Sequence, residues 1–381
     1  MWESEYQKAL LEARRKYVGT DGIPARLLRQ MYLEYAGMIL RIHQDVANGV
    51  FNTKESKQRA RELMISIRTQ MDVYRDRMTV AMEVGAREAI EAAVAGHVEG
   101  ASRAVAAAGV SVNTSFAVVP SRVIELMMIR RGMGGAATFR TIINRGLELS
   151  AADIDQYIAS VIGRGEAPLR AANELATMLS RGDKEVLAAL KRLGPRGGMV
   201  RDAIKEGIKI DPAVLTRAKK SLSDSRTILL SEIQNSFFEA DRQASVESPM
   251  IDLVHWKLSG RHNGLPSSPD ICDYYATQDL HGYGPGLYHP ETVPAPPHPN
   301  DQCQLLKVLR PPIEWNEPPR PIPDVRVDSI DDFRRNLTRI ARGTNLEHLM
   351  DPKFKYVENQ YKMFSGVVLA DRVARRTRIV I

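Results

Sequence analysis

The side chains of this 381-residue chain best suited to chemistry, thiols and imidazoles, are concentrated in one stretch. Residues 255–303 hold both cysteines, Cys272 and Cys303, and five of the eight histidines. The stretch closes on Pro296-Pro297-His298-Pro299-Asn300-Asp301-Gln302-Cys303. Thiolate, imidazole and carboxylate oxygen are all competent zinc ligands, so Cys272, His298, Asp301 and Cys303 form a candidate metal set of mixed type. Structural zinc sites favour paired short spacings, and neither cysteine has a second one at the Cys-x-x-Cys distance. Three states are therefore open to the two thiols: metal ligands, a disulfide, or packed reduced side chains. The histidines have a plainer reading as well, since a His-Pro turn beside an aromatic serves as a hydrogen-bonded loop anchor.

Upstream stand His255-Trp256-Lys257 and Pro269-Asp270-Ile271-Cys272, with Gly282-Tyr283-Gly284-Pro285-Gly286, Pro290 and Pro294 between the cysteines. The order Trp, Asp-x-Cys, a Gly/Pro-rich loop, then Pro-x-His-Pro-Asn-x-x-Cys resembles the C-terminal module of the phage Mu F-like head morphogenesis proteins, minor capsid proteins of tailed phages. The resemblance runs from roughly Arg226 to Pro312. The helix that precedes the tryptophan in the family corresponds here to Leu230–Ala240, without the family's arginine. Cys272 matches the first cysteine of the family pattern and Cys303 the fourth; Tyr275 and Asp301 stand where the second and third would be. His298 and Pro299 are as the family has them. The resemblance implies a structural protein of the virion head near the portal, held in the host cytoplasm before assembly. It implies as partners the portal protein, the major capsid protein and packaged DNA, with several copies per virion. It also implies that the arms carrying Cys272 and Cys303 meet in one knuckle, with zinc as the one cofactor to consider. Synthesis in reducing cytosol disfavours a disulfide there.

The catalytic inventory is thin. No Gly-x-Ser-x-Gly elbow, His-Glu-x-x-His, Walker loop or dinucleotide fingerprint is present, and Arg131-Gly132-Met133-Gly134-Gly135 lacks the Gly-Lys-Ser/Thr ending of a phosphate loop. The alternative from another class is a metal-dependent nuclease or DNA-processing enzyme, with His255, His262-Asn263 and His298-Pro299-Asn300 as its His/Asn set. Nothing places one of these histidines as general base on a short ββ-metal hairpin. The expectation is therefore a protein that is not an enzyme.

Composition is that of an ordinary globular protein, 44% hydrophobic and 26% charged, long enough for two or three domains. No run of eighteen apolar residues predicts a membrane span, and Met1-Trp2-Glu3-Ser4-Glu5 does not read as a signal peptide. A formal charge of +7 suits proximity to DNA or to an acidic surface without proving either.

The elements that must position these residues divide a helical body from an irregular C-terminal third. The expected fold class is mainly α with a small α+β C-terminal module, on a long helical hairpin or coiled-coil-like N-terminal body. Leu28, Tyr32, Tyr35, Ile39 and Ile42 recur at helical spacing within Ala25–Ala47, which stops at Asn48-Gly49. Asn52-Thr53 offers caps for a second helix from about Lys54 to about Ala107. Within it Ala60, Met64, Ile67, Met71, Tyr74, Met78, Ala81 and Gly85 alternate steps of four and three, a heptad seam. Breaks are expected at Ser115–Pro120 and Gly132–Gly135. Short helices follow over Ala151–Ile162 and Glu166–Leu179, a pair lacking the exposed Arg/Asn/Gln row of a DNA-reading helix.

Lys184, Lys191, Arg192, Arg196, Arg201, Lys205, Lys209, Arg217, Lys219, Lys220 and Arg226 then outnumber the acids, around a flexible turn expected at Gly194-Pro195-Arg196-Gly197-Gly198. Such a run either tracks a phosphate backbone or is simply a solvated face. Eleven of the twenty-one prolines fall between Pro290 and Pro323, so the chain after Leu309 is expected to form a stiff arm. An amphipathic helix over Ser329–Arg342 and a basic, β-branched tail over Gly366–Ile381 follow it. The segments are thus 1–225, a helical body that associates with the portal or its own copies; 226–312, the Mu F-like module; and 313–381, the Pro-rich arm and docking tail.

Overall fold

The computed structural model describes residues 1–18, 22–48, 56–111, 157, 167–180, 183–206, 212–258, 271–277, 279, 282–294, 303–317, 330–341 and 357. They are mainly α, with one small antiparallel sheet, in agreement with the expected fold class. The helices are α1 (Trp2–Val18), α2 (Ile23–Ala47), α3 (Ser56–Ala108), α4 (Pro168–Ser180), α5 (Lys184–Arg192), α6 (Pro195–Lys205), α7 (Pro212–Glu247), α8 (Ile271–Thr277) and α9 (Ile330–Ala341). The strands are β1 (Ile251–Lys257), β2 (Leu287–Tyr288) and β3 (Gln304–Leu309). The expected helix at 151–162, the breaks at 115–120 and 132–135, the caps Asn52 and Thr53, and the tail 366–381 lie outside the described residues. No helix among the described residues is long and apolar enough to cross a membrane.

Two compact units divide the chain, and both are discontinuous in sequence. One gathers Met1–Tyr17, Arg87–Met127 and Gln234–Ile381; the other gathers Val18–Ala86 and Met128–Ile233. Each unit therefore draws on both sides of residue 225, and α3 and α7 each give a part of their length to both.

The second, helical unit is built on the hairpin that the heptad pattern predicts. Helix α3 has 53 residues, roughly 80 Å at 1.5 Å per residue. Arg77 of α3 pairs with Glu34 of α2 at 2.8 Å, Gln70 accepts from Arg41 at 2.6 Å, and Ser66 donates to Asp45 at 2.7 Å. As the α2 partner advances by seven and then four residues, the α3 partner retreats by the same steps, which is antiparallel packing in heptad register. The seam residues Ile67, Met71, Tyr74, Met78 and Ala81 are buried, and Tyr74 meets Tyr35 edge to face at 5.5 Å. Gly85 continues the seam because a Cβ there would overlap Leu27 Cδ1. Helix α2 starts two residues earlier than expected because Pro24 occupies its first turn, where a missing N–H costs nothing.

Helices α4, α5 and α6 pack with α2 in the same unit. The Gly194–Gly198 segment is not the flexible turn expected. Only Leu193 and Gly194 make the turn; Pro195 opens α6, and Gly197 and Gly198 are helical. Gly194 has φ +89°, a conformation that glycine adopts without a Cβ penalty. Gly197 is small for another reason: a Cβ would overlap the Leu190 carbonyl oxygen of α5.

In the sheet-bearing unit the strand order is β2-β1-β3, both pairings antiparallel. Trp256 on the central strand lies opposite Leu305 and is fully buried. The start of the expected stiff arm instead folds back. Residues Pro312–Glu314 form a 3-10 turn, and the buried Trp315 donates its indole N–H to the Arg310 carbonyl at 2.7 Å.

Helix α1 belongs to this unit and closes the free edge of β3. Gln7 Nε2 donates to the Lys307 carbonyl, Arg14 Nη2 to the Cys303 carbonyl at 3.2 Å, and the Leu309 N–H donates to Glu3 Oε1 at 3.3 Å. The three residues, Lys307 and Leu309 in β3 and Cys303 immediately before it, are odd-numbered, as the two-residue period of outward backbone groups requires. An edge strand with unpaired backbone groups invites association, and α1 covers this one with side chains.

Candidate functional site

The two cysteines enter one core from different elements. Cys272 is the second residue of α8 and Cys303 immediately precedes β3; both are buried, in one cluster with Trp256, Tyr275, Tyr288 and Trp315. They are not joined in a disulfide. Trp256 stacks its edge against Tyr275 at 5.1 Å and lies 5.6 Å from Phe238 of α7. Tyr288 on β2 donates its hydroxyl to the Tyr275 carbonyl at 2.6 Å, which ties α8 to the sheet. Burial pushes the Tyr288 phenol well above its ordinary pKa, so it is a permanent donor in this bond.

Of the expected metal set, Cys272 and Cys303 are therefore in the same core, while His298 and Asp301 lie outside the described residues. Among the described residues no group of three or more His, Cys, Asp or Glu side chains is placed to hold an ion. The two thiols alone, set among aromatic rings, do not make up a zinc donor set. Of the other histidines of the region, His255 on β1 has its pKa lowered by burial and then by neighbouring Lys257, and His289 caps the 3-10 turn at Pro290–Thr292. The latter is the loop-anchor role that a His-Pro turn suggests.

Apart from one lysine, the sequence gives no local sign of the most concentrated polar chemistry in this unit. His97 of α3 hydrogen-bonds Tyr6 of α1 through Nδ1 at 2.8 Å and Asp241 of α7 through Nε2 at 2.7 Å. Lys307 of β3 donates to the other Asp241 oxygen at 2.8 Å. Tyr6, His97 and Lys307 are almost completely buried. Burial would push the Asp241 carboxyl up, but the Lys307 ammonium and the His97 hydrogen bond hold it well below the usual carboxylate range. Burial depresses His97 more than Asp241 raises it, and Lys307 is likewise lowered by burial against the pull of Asp241. Burial, then the Asp241 charge, raises the Tyr6 phenol.

These directions assign the protons. Asp241 is ionised and accepts from both neighbours; neutral His97 donates from Nε2 and accepts the Tyr6 hydroxyl at Nδ1. A neighbouring pocket of about 30 Å³ is lined by Gln7, Arg14, Phe237 and Asp241 among others, enough to hold water. Tyr6 donates to His97, and His97 and Lys307 both donate to Asp241, so the quartet cross-links α1, α3, α7 and β3.

Its members are 91, 144 and 66 residues apart along the network, beyond any local motif. The one available signal is Lys307 itself, which interrupts the apolar run Leu305-Leu306-Lys307-Val308-Leu309 at an inward-facing position. No family model, curated protein or solved structure matches the chain.

Proposed function

We propose that the chain is a structural component of a tailed-phage head, a minor capsid or head-morphogenesis protein near the portal vertex that assists head assembly and DNA packaging. The observation that carries this reading is the ordered set Trp256, Asp270-x-Cys272, the Gly/Pro-rich loop and Pro297-His298-Pro299-Asn300-x-x-Cys303. Burial of Trp256, Cys272 and Cys303 in one core is consistent with that set being the scaffold of a folded module. The exposed Ile65, Val80 and Val84 share one face of α3, apolar surface of the kind that association uses. In this reading the partners are the portal protein, the major capsid protein and packaged DNA. The protein works by assembly rather than by catalysis.

The test is co-expression of the full chain with the portal protein of the same phage, followed by size-exclusion chromatography. A complex that co-elutes is expected. No association, together with divalent-metal-dependent plasmid cleavage that His298→Ala abolishes, would replace this reading with the nuclease one.

The knuckle itself is proposed to be held by packing without metal, since Tyr275 and Asp301 stand in place of two thiolates of the family pattern. Stoichiometric zinc in the purified protein, lost in Cys303→Ser, would overturn that part.

A further inference from the structure

We propose that the α5–α6 turn of the helical unit is a sequence-independent docking surface for the phosphate backbone of double-stranded DNA. Between Lys191 and Arg201 the chain carries four cations and no acid. Lys191 and Arg192 end α5, and Arg196 lies in the first turn of α6; all three are exposed. None of the three has an ion-pair or hydrogen-bond partner among the described residues. Several other surface arginines are matched, Arg77 with Glu34, Arg103 with Glu12 and Glu99, Arg170 with Glu174 and Arg335 with Asp332. Arg61 and Arg87 are exposed without such a partner among the described residues, but each stands alone, whereas here three such cations fall at one turn.

Helix stability does not account for this arrangement. Lys191 and Arg192 do suit the negative end of α5, but Arg196 sits at the positive end of α6, where a cation is unfavourable. Helix α5 begins with Asp183 accepting from the Glu185 and Val186 N–H groups and has Glu185 in its first turn. Helix α6 begins at Gly194 with no side-chain cap and no acid in its first turn. Positive charge unmatched among the described residues thus accumulates at one turn, and Gly197 holds the two helices close enough for its cations to act together.

The surrounding residue types narrow the anion. Residues 184–206 contain no Phe, Tyr or Trp, so the surface offers neither the stacking platform of a single-strand binder nor the aromatic anchors of a membrane interface. They contain no Asn or Gln either, the residues that read adenine, so guanine-reading arginine and lysine are the cationic base readers present, and the same side chains hold phosphates; equal affinity for unrelated sequences separates the two uses. A duplex backbone, with its regularly spaced phosphates, fits what remains. The choice of DNA over RNA rests on the head-assembly reading; the phosphate chemistry does not.

The experiment measures binding of the full chain to two unrelated duplex DNA sequences by fluorescence anisotropy across a KCl titration. It compares the wild type with the triple variant Lys191→Gln/Arg192→Gln/Arg196→Gln. A control triple variant, Lys8→Gln/Lys257→Gln/Arg335→Gln, removes equal charge at exposed positions elsewhere. Expected are equal affinity for both sequences, a loss of about tenfold or more in the α5–α6 variant, and a salt slope shallower by about 2.7, the value for three phosphate contacts. The control should keep affinity and slope.

Equal loss in the control would reduce the effect to net charge and overturn the proposal. So would an unchanged α5–α6 variant, no duplex binding by the wild type, or tighter binding to phosphatidylserine vesicles than to DNA. If the triple variant melts early, Arg196→Gln alone, with a slope change of about 0.9, takes its place. Portal association is read separately, so this surface can fail while the head-assembly reading stands.

Discussion

The helical unit and the sheet-bearing unit solve the same problem, burying a long helix, by opposite means. In the helical unit, α2 and α3 meet through a repeating seam in which Glu34, Arg41 and Asp45 find Arg77, Gln70 and Ser66 at heptad steps. Each contact resembles the next, and the loss of one leaves the register to the others. In the sheet-bearing unit, α1 and α3 are tied to β3 by single, unlike contacts, among them Gln7 on the Lys307 carbonyl and the Tyr6–His97–Asp241–Lys307 quartet. Here the members of the buried quartet have no substitute. The first arrangement spreads stability along a surface, and the second concentrates it in a few buried polar groups whose partners must all be present.

The contrast predicts where each unit breaks. The largest effect is expected from Asp241→Asn, which leaves the Lys307 ammonium buried without a counter-ion; removing one partner of such a pair costs about 3–5 kcal/mol. Hydrogen exchange should show lost protection in β1 and β3, with α2 and α4 retaining theirs, and Lys307→Met in the same chain should recover part of the loss. Next is Gly197→Ala, where the new methyl meets the Leu190 carbonyl oxygen, an overpacking cost of about 1–3 kcal/mol. Its exchange should rise in α5 and α6 and not in the sheet.

The third prediction is a pH dependence. His97 is held below its ordinary pKa of 6.5 by burial, so the unfolded chain binds a proton that the folded chain refuses. Stability should therefore fall as pH drops below about 6.5. Asp241, depressed in the folded state, contributes stability that is present above its unfolded value and is lost only in stronger acid, below about pH 3.9. Thermal melts of His97→Gln should be flatter than wild type between pH 6.5 and pH 5, as order-of-magnitude bounds on this window. The smallest effect is Gln7→Ala, which removes one bond to the β3 edge and should lower stability by about 1 kcal/mol.

What the sequence disclosed follows the same division. Heptad spacing from Ile67 to Gly85 was enough to anticipate α3 and its antiparallel partner, because a periodic stripe states both the helix and the need for a second one. For Cys272 and Cys303 the sequence left metal ligation, a disulfide and packed reduced thiols open, and no local pattern states that Trp256 shares their core. The role of α1 was not legible, since Tyr6 and Gln7 find partners 91 and 300 residues away and no local pattern names them. The Gly194–Gly198 segment misled for a physical reason: glycine signals a turn by its backbone freedom, yet Gly197 is required by a close helix approach inside α6.

The proposed role would make this chain a built-in part of a phage head. Quantitative mass spectrometry of purified assembled heads tests it most directly. The account predicts the chain in every preparation at a small fixed ratio to the portal protein, far below the major capsid protein. Heads that assemble and fill with DNA but contain none of it, while the protein stays in the lysate, would contradict the claim.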